Sequence, residues 1–329
     1  MQEYIRLLDL IHKFSALNLW DYVDSRDVFH LKLSQREVYI SLLGNAKIEF
    51  GLIVYETVED LSSQMLAEND SAFVEQPDLP FHLSYLKIDC KDGKTMSQYD
   101  SSGRIFDYGI EDDCMAVKFN IGQPMRLVNE EECQLLIEVL TMIIKHYQSI
   151  IDLDFDSIDG RETYSLKETD NHLEIEVIQF PALIPPQFKI SYFDDEPLIE
   201  ELETLVKEDE WGIGIFYSPA FVEDDFNPYF PKICIIYNKT KDTILDLIVP
   251  YNDEYDRFPE FLLQSFLKIG YLPAYLNLAN FETLSYFADI LDKLNIDGEV
   301  CMLEEFNDIY DGISKELNEG IEEEHKWVS

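Results

Sequence analysis

Carboxylates are the side chains best placed to do chemistry in this chain: 66 Asp and Glu stand against 25 Lys and Arg, a formal net of −41. They come in short runs, and carboxylates three or four residues apart on a helix stand about 5–6 Å from one another. That spacing suits an array facing a basic surface. Three groups stand out: Asp253, Glu254 and Asp256; Glu304, Glu305 and Asp308; and Glu319, Glu322, Glu323 and Glu324. We read these ten as candidate partner-binding residues. The competing account makes each group an ordinary solvated helix face or loop.

A further set, Asp152, Asp154 and Asp156, copies the opening of a calcium loop, in which alternate carboxylates converge on one ion. The copy then fails, because the sixth position, where the turn needs Gly, is Ser157 and the twelfth, where Glu closes the shell, is Thr163. The stretch reads better as an acidic linker, with these aspartates its weak metal candidates. Other chemistry lacks its residues. The chain has no phosphate-binding glycine loop, no G-x-S-x-G and no H-E-x-x-H. His12, His30, His82, His146, His172 and His325 read as isolated surface or core-edge residues, and no cofactor is implied.

The charge is unevenly placed: residues 1–150 hold 25 acidic and 13 basic side chains, a net of −12, and residues 151–329 hold 41 and 12, a net of −29. Such a field repels nucleic acid and anionic membranes, and it favours a basic protein surface. No apolar run approaches the ~20 residues of a membrane span. The five cysteines are odd in number and never spaced C-x-x-C, the usage of buried thiols in a reducing cytoplasm. With 46% hydrophobic and 13% aromatic residues the chain has ample material for packed cores.

Periodicity supplies the elements that must carry these groups. An amphipathic helix opens the chain over 2–17, followed by β-rich runs at 28–34, 37–44 and 50–56, a short helix at 57–68, and strands at 82–90 and 114–122. A helix over about 130–147 starts at a capping box, Asn129 with Glu132. Residues 161–180 alternate like a hairpin, 187–193 reads as a strand after Pro185-Pro186, and a helix over 196–208 carries Pro197 in its first turn. WGIGIFYSP (211–219) reads as a short apolar strand whose glycines reflect small residues rather than a tight approach. From 229 onward come a hairpin, a helix at 258–269, strand LPAYLNLA, a helix at 281–294, strand EVCMLEE and a last helix over 306–323.

The run ISLLGNAKIEFGLIVYETVEDL (40–61) resembles a domain of uncharacterised bacterial proteins, and the segment GYLPAYLNLANFETLSYFADILDKLNI (270–296) resembles both the C-terminal domain of that two-domain family and the core of integrases. The resemblance implies an α+β domain over 1–150, an acidic connecting segment over 151–228, and an α/β ribonuclease H-like domain over 229–329. Such enzymes hold two metal ions on carboxylates at the ends of their first and fourth strands. Here those ends read Tyr237-Asn238 and Asn277-Leu278-Ala279-Asn280, so the resemblance does not extend to catalysis. The expectation is a cytoplasmic, non-catalytic acidic module that occupies the basic groove of a nucleic-acid-processing protein, as inhibitor, antitoxin or assembly factor. A hydrolase built on Asp246, Glu282 and Glu304 is one alternative, and a scaffold charged only for solubility is another.

Overall fold

Alternating apolar residues give the first half its strands, and an apolar stripe on each of two helices covers them. The structure, a computed structural model, describes residues 2–69, 77–90, 114–222, 228–250, 254–301 and 304–326. The chain divides into two compact units, Met1–Leu66 with Leu83–Pro185, and Ala67–His82 with Pro186–Ser329.

The first unit contains α1 (Gln2–Ser15), β1 (Val28–Lys32), β2 (Glu37–Leu43), β3 (Gly51–Tyr55), β4 (Tyr85–Cys90), β5 (Cys114–Phe119), β6 (Arg126–Leu127), α3 (Glu130–Lys145), α4 (Tyr147–Ile151), β7 (Glu162–Thr169) and β8 (His172–Gln179), with most of α2 (Val58–Asn69). The eight strands form one sheet in the order β6-β5-β4-β3-β2-β1-β7-β8. Its pairs are antiparallel except β1 with β7, where Phe29 lies opposite Tyr164. Leu7, Ile11 and Phe14 of α1 and Leu136, Val139 and Ile143 of α3 close the core over Leu31, Ile40, Leu52 and Ile88. The predicted capping box forms: Glu132 N–H donates to Asn129 Oδ1 at 3.0 Å and Asn129 N–H to Glu132 Oε2 at 2.8 Å. Gly44 holds φ +141°, and a Cβ there would stand 2.5 Å from Trp20, so the turn after β2 requires glycine.

Two expectations change here. The hairpin at 162–179, read as part of a connecting segment, extends the first sheet, because β7 finds its partner in β1 across more than a hundred residues. Residues 187–193 form no strand. Their backbone is satisfied by a helix instead, with Ser191 N–H on the Ser285 carbonyl at 2.9 Å and Phe193 N–H on Asp289 Oδ2 at 2.9 Å.

The second unit contains α5 (Glu196–Glu203), β9 (Lys207–Tyr217), β10 (Lys232–Asn238), β11 (Thr243–Ile248), α6 (Phe258–Ile269), β12 (Leu272–Leu278), α7 (Phe281–Lys293), β13 (Asp297–Val300) and α8 (Glu304–Lys326). Its sheet runs β11-β10-β9-β12-β13, with β9 central. β9 pairs antiparallel with β10 and parallel with β12. Strand alternation divides the side chains cleanly. Trp211, Ile213, Ile215, Cys234 and Ile236 pack under α5, α6 and α7, while Phe216, Ile233, Ile235 and Tyr237 pack under Phe306 and Tyr310 of α8. Both faces are covered, so the central strands are apolar throughout. Of the WGIGIF glycines, Gly214 does line a tight approach: a Cβ there would meet the Phe216 ring at 2.3 Å.

Candidate functional site

At the carboxyl ends of β9 and β12 lie several buried polar side chains, among them Ser218, Asn277, Asn280, Glu282 and Thr283. Open α/β sheets characteristically place their sites at this end of the strands. The site is anchored by the start of α7. Asn280 caps that helix, accepting from Thr283 N–H at 2.7 Å, and donates through Nδ2 to the Ile215 carbonyl at 3.0 Å. Thr283 Oγ1 in turn accepts from Ile215 N–H at 3.0 Å, so helix and strand are stitched by two short polar residues. Glu282 then falls in the first helical turn, where the N-terminal dipole favours a carboxylate.

Glu282 does not stand alone. The Lys232 ammonium, from the start of β10, pairs with it, and both side chains are almost fully buried. The same Nζ lies 4.9 Å from the Tyr217 ring centre and 5.3 Å from that of Tyr255. A second acid is matched in the same way. Asp78 is fully buried, with Oδ2 accepting from Tyr217 N–H at 2.7 Å and lying 2.9 Å from His82 Nε2. Asp78 Oδ1 has no hydrogen-bond partner among the described residues. The His82 ring stands edge-on to Tyr217 at 4.9 Å, and Phe81 packs against Phe230 at 4.2 Å.

Electrostatics follow from this packing. Burial pulls the His82 imidazolium down, but the charge and hydrogen bond of Asp78, with Glu282 beyond, outweigh it and hold the group above its ordinary 6.5. Burial, then the charges of Glu282 and Asp256, push Tyr286 up to about 12. The phenol of Tyr217 is raised by burial first and by Glu282 next, so it stays neutral. The arrangement is two carboxylates, Glu282 paired with the Lys232 ammonium and Asp78 with Oδ2 beside the His82 ring.

The sequence-predicted residues are distributed differently. Asp253 lies outside the described residues, as do the side chains of Glu319, Glu322, Glu323 and Glu324, although their backbone belongs to α8. Glu254 is exposed and pairs with Arg257 at 3.0 Å. Asp256 is exposed in the turn whose Tyr255 ring lies by Lys232, so it flanks the site. Glu304, Glu305 and Asp308 lie on the first turns of α8, with Glu304 and Asp308 exposed and no described cation paired with any of the three. Asp246, with Glu282 part of the hydrolase alternative, accepts from Lys268 Nζ at 2.9 Å and Ser265 Oγ at 3.1 Å, so both acids are already held. In the first unit Asp154 precedes a single helical turn and its carbonyl accepts from the Tyr164 hydroxyl at 2.8 Å. Among the described residues no three His, Cys, Asp or Glu side chains come together as a metal site.

Reading the histidines one by one missed His82. Its signal was local: Asp78 and His82 are four apart, inside a short segment with Pro77, Pro80 and Phe81. Lys232, Tyr217 and Glu282 are far apart in sequence and had no such signal.

The fold is thus mixed α/β, with two mixed sheets and eight α-helices among the described residues. No helix among them is long and apolar enough to cross a membrane. Residues 4–165 match the family model described as Domain of unknown function (DUF7309), and residues 198–314 match that of Domain of unknown function (DUF6930). Together the two matches fit an uncharacterised two-domain family. No curated protein and no solved structure matches the chain.

Proposed function

We propose that the protein is a non-catalytic binding module whose second unit is a ribonuclease H-like frame presenting an acidic surface to a basic protein. The strand order supports the frame: three antiparallel strands, β9 to β11, then β12 and β13 added parallel on the other side of β9, with helices after β11, β12 and β13. On this reading the first strand is β9, one strand earlier than the hairpin at 229 suggested. The first-strand end is then Tyr217-Ser218 and the fourth, after β12, is still Asn277-Leu278-Ala279-Asn280, with Glu282 beyond it in the first turn of α7.

The observation that carries the non-catalytic reading is the pairing at those ends. A two-metal nuclease needs carboxylates free to coordinate, whereas here Lys232 holds Glu282 and His82 holds Asp78. On this reading the acids serve protein contacts: Lys232 pairs with Glu282, and Asp78 Oδ2 accepts from Tyr217 N–H and lies beside His82 Nε2. The exposed acids of α8 contrast with this. Phe306 and Tyr310 face the sheet, which leaves Glu304, Asp308 and Asp311 exposed at helical spacing with no described cation paired to them. Spaced as they are, such carboxylates occupy a groove shaped for phosphates, and a basic nucleic-acid-processing protein in the cytoplasm is the partner this favours.

The test is a tagged pull-down from the native host at low and high salt, read by mass spectrometry, beside a variant carrying Glu304→Gln, Glu305→Gln and Asp308→Asn. A basic partner held at low salt, released at high salt and lost by the variant supports the reading. Capture that survives both salt and neutralisation overturns it.

A further inference from the structure

Cys90 is the last residue of β4 and Cys114 the first of β5, and the two are register partners across the antiparallel ladder. Both are thiols, 0% and 5% exposed. Their relation is fixed more tightly by the neighbouring strand. Cys90 N–H donates to the Phe50 carbonyl at 2.7 Å, on the β3 side. A residue in an antiparallel ladder sends its N–H and its C=O to the same neighbour, so the Cys90–Cys114 rung belongs to the non-hydrogen-bonded kind. In such rungs the Cα atoms stand about 4.5 Å apart with the side chains on one face, inside the roughly 4.4–6.8 Å that a disulfide bridges.

We propose that Cys90 and Cys114 are a modification site, a dithiol that a peroxide converts to an intramolecular disulfide. One thiolate attacks a peroxide oxygen, the O–O bond breaks, and a sulfenic acid and one water form. The second sulfur attacks the first, expels the sulfenic oxygen as a second water, and closes the S–S bond. Two thiols lose two electrons and the peroxide gains them. Both thiols are buried in the closed sheet, so the reaction proceeds through the local openings that folded proteins make at a cost below that of global unfolding. The bond, once formed, ties the ends of β4 and β5 and closes the covalent loop through residues 91–113.

The remaining cysteines sit elsewhere in the fold, on α3 (Cys133), on β10 (Cys234) and just after β13 (Cys301). Five thiols allow ten pairings, so indiscriminate oxidation would place about a tenth of the disulfide at any one pair. The experiment treats the full chain with hydrogen peroxide, blocks residual thiols with iodoacetamide, and maps linked peptides by mass spectrometry before and after dithiothreitol. We expect the 90–114 linkage to exceed every other pairing by at least tenfold and to vanish on reduction. Cys90→Ser and Cys114→Ser should each abolish it, and Cys133→Ser should leave it intact. Disulfide spread over several pairings, or its absence while Cys301 oxidises, overturns the proposal on the wild-type protein itself, whatever the variants do.

Discussion

His30 in the first unit is buried and His82 in the second half-buried, each beside a carboxylate, yet their acidities move in opposite directions. His30 sits on β1 with Nδ1 3.0 Å from Ser165 Oγ and Nε2 3.3 Å from Glu37 Oε2. Burial lowers it, and Glu37 opposes without prevailing, because that side chain is 62% exposed and water screens it. His82 meets Asp78, whose side chain is 0% exposed, so the carboxylate acts through protein rather than water and wins over burial. The sign follows the burial of the partner carboxylate together with the nearby charges, Lys32 lowering His30 and Glu282 raising His82.

The largest test of this contrast removes the buried partner. Asp78→Ala strands His82 and the Tyr217 N–H, and breaking a buried pair costs about 3–5 kcal/mol. Amide hydrogen exchange should show the loss at β9 and β10 while β1 and β2 keep their protection. A cost well under about 1 kcal/mol would mean that water already reaches the pair, and the contrast would fail.

Packing gives the next effect. Gly214→Ala forces a methyl against the Phe216 ring and should destabilise the second unit by about 1–3 kcal/mol. Gly160→Ala in the first unit, where nothing lies within 4 Å of the new Cβ, is the control and should change the urea midpoint little.

Smaller again is the pH dependence, and its sign separates the two histidines. His82, raised when folded, contributes stability that is full below 6.5 and is lost as pH rises through its folded value. His30, depressed when folded, contributes stability that is full above 6.5 and is lost as pH falls through that value toward its folded one. Exchange protection followed from pH 5 to 8 should fall with pH at β9 and rise with pH at β1. His82→Gln should flatten the first slope and leave the second. Parallel slopes at both strands would sink the comparison.

The smallest expected change is in the stability of a variant with Glu304→Gln and Asp308→Asn, within about 0.5 kcal/mol, because both side chains are exposed. A thermal melt showing a larger loss would assign these acids to holding α8 rather than to a partner.

Local chemistry made much of the fold legible. The Asn129–Glu132 box and Pro197 at the start of α5 are each decided within a few residues, where backbone groups must be satisfied by neighbours. The apolar periods of α1, α3 and α7 did the same for the helices that cover each sheet. The acidic excess in residues 151–329 was equally plain, since charge is read directly from the chain.

Local pattern thus placed most strands and helices, though not the strand read at 187–193 or the end of the helix read over 196–208, and showed which faces are apolar and which half carries the charge. Long-range packing decided that β7 joins β1, that β9 rather than β10 is the central strand of its sheet, and that Lys232 pairs with Glu282 from fifty residues away. The physical reason is range. Capping and periodicity are settled by hydrogen bonds and burial within one or two turns of chain. Strand partners and buried ion pairs are chosen by which distant surfaces exclude water together, and no local pattern encodes that choice.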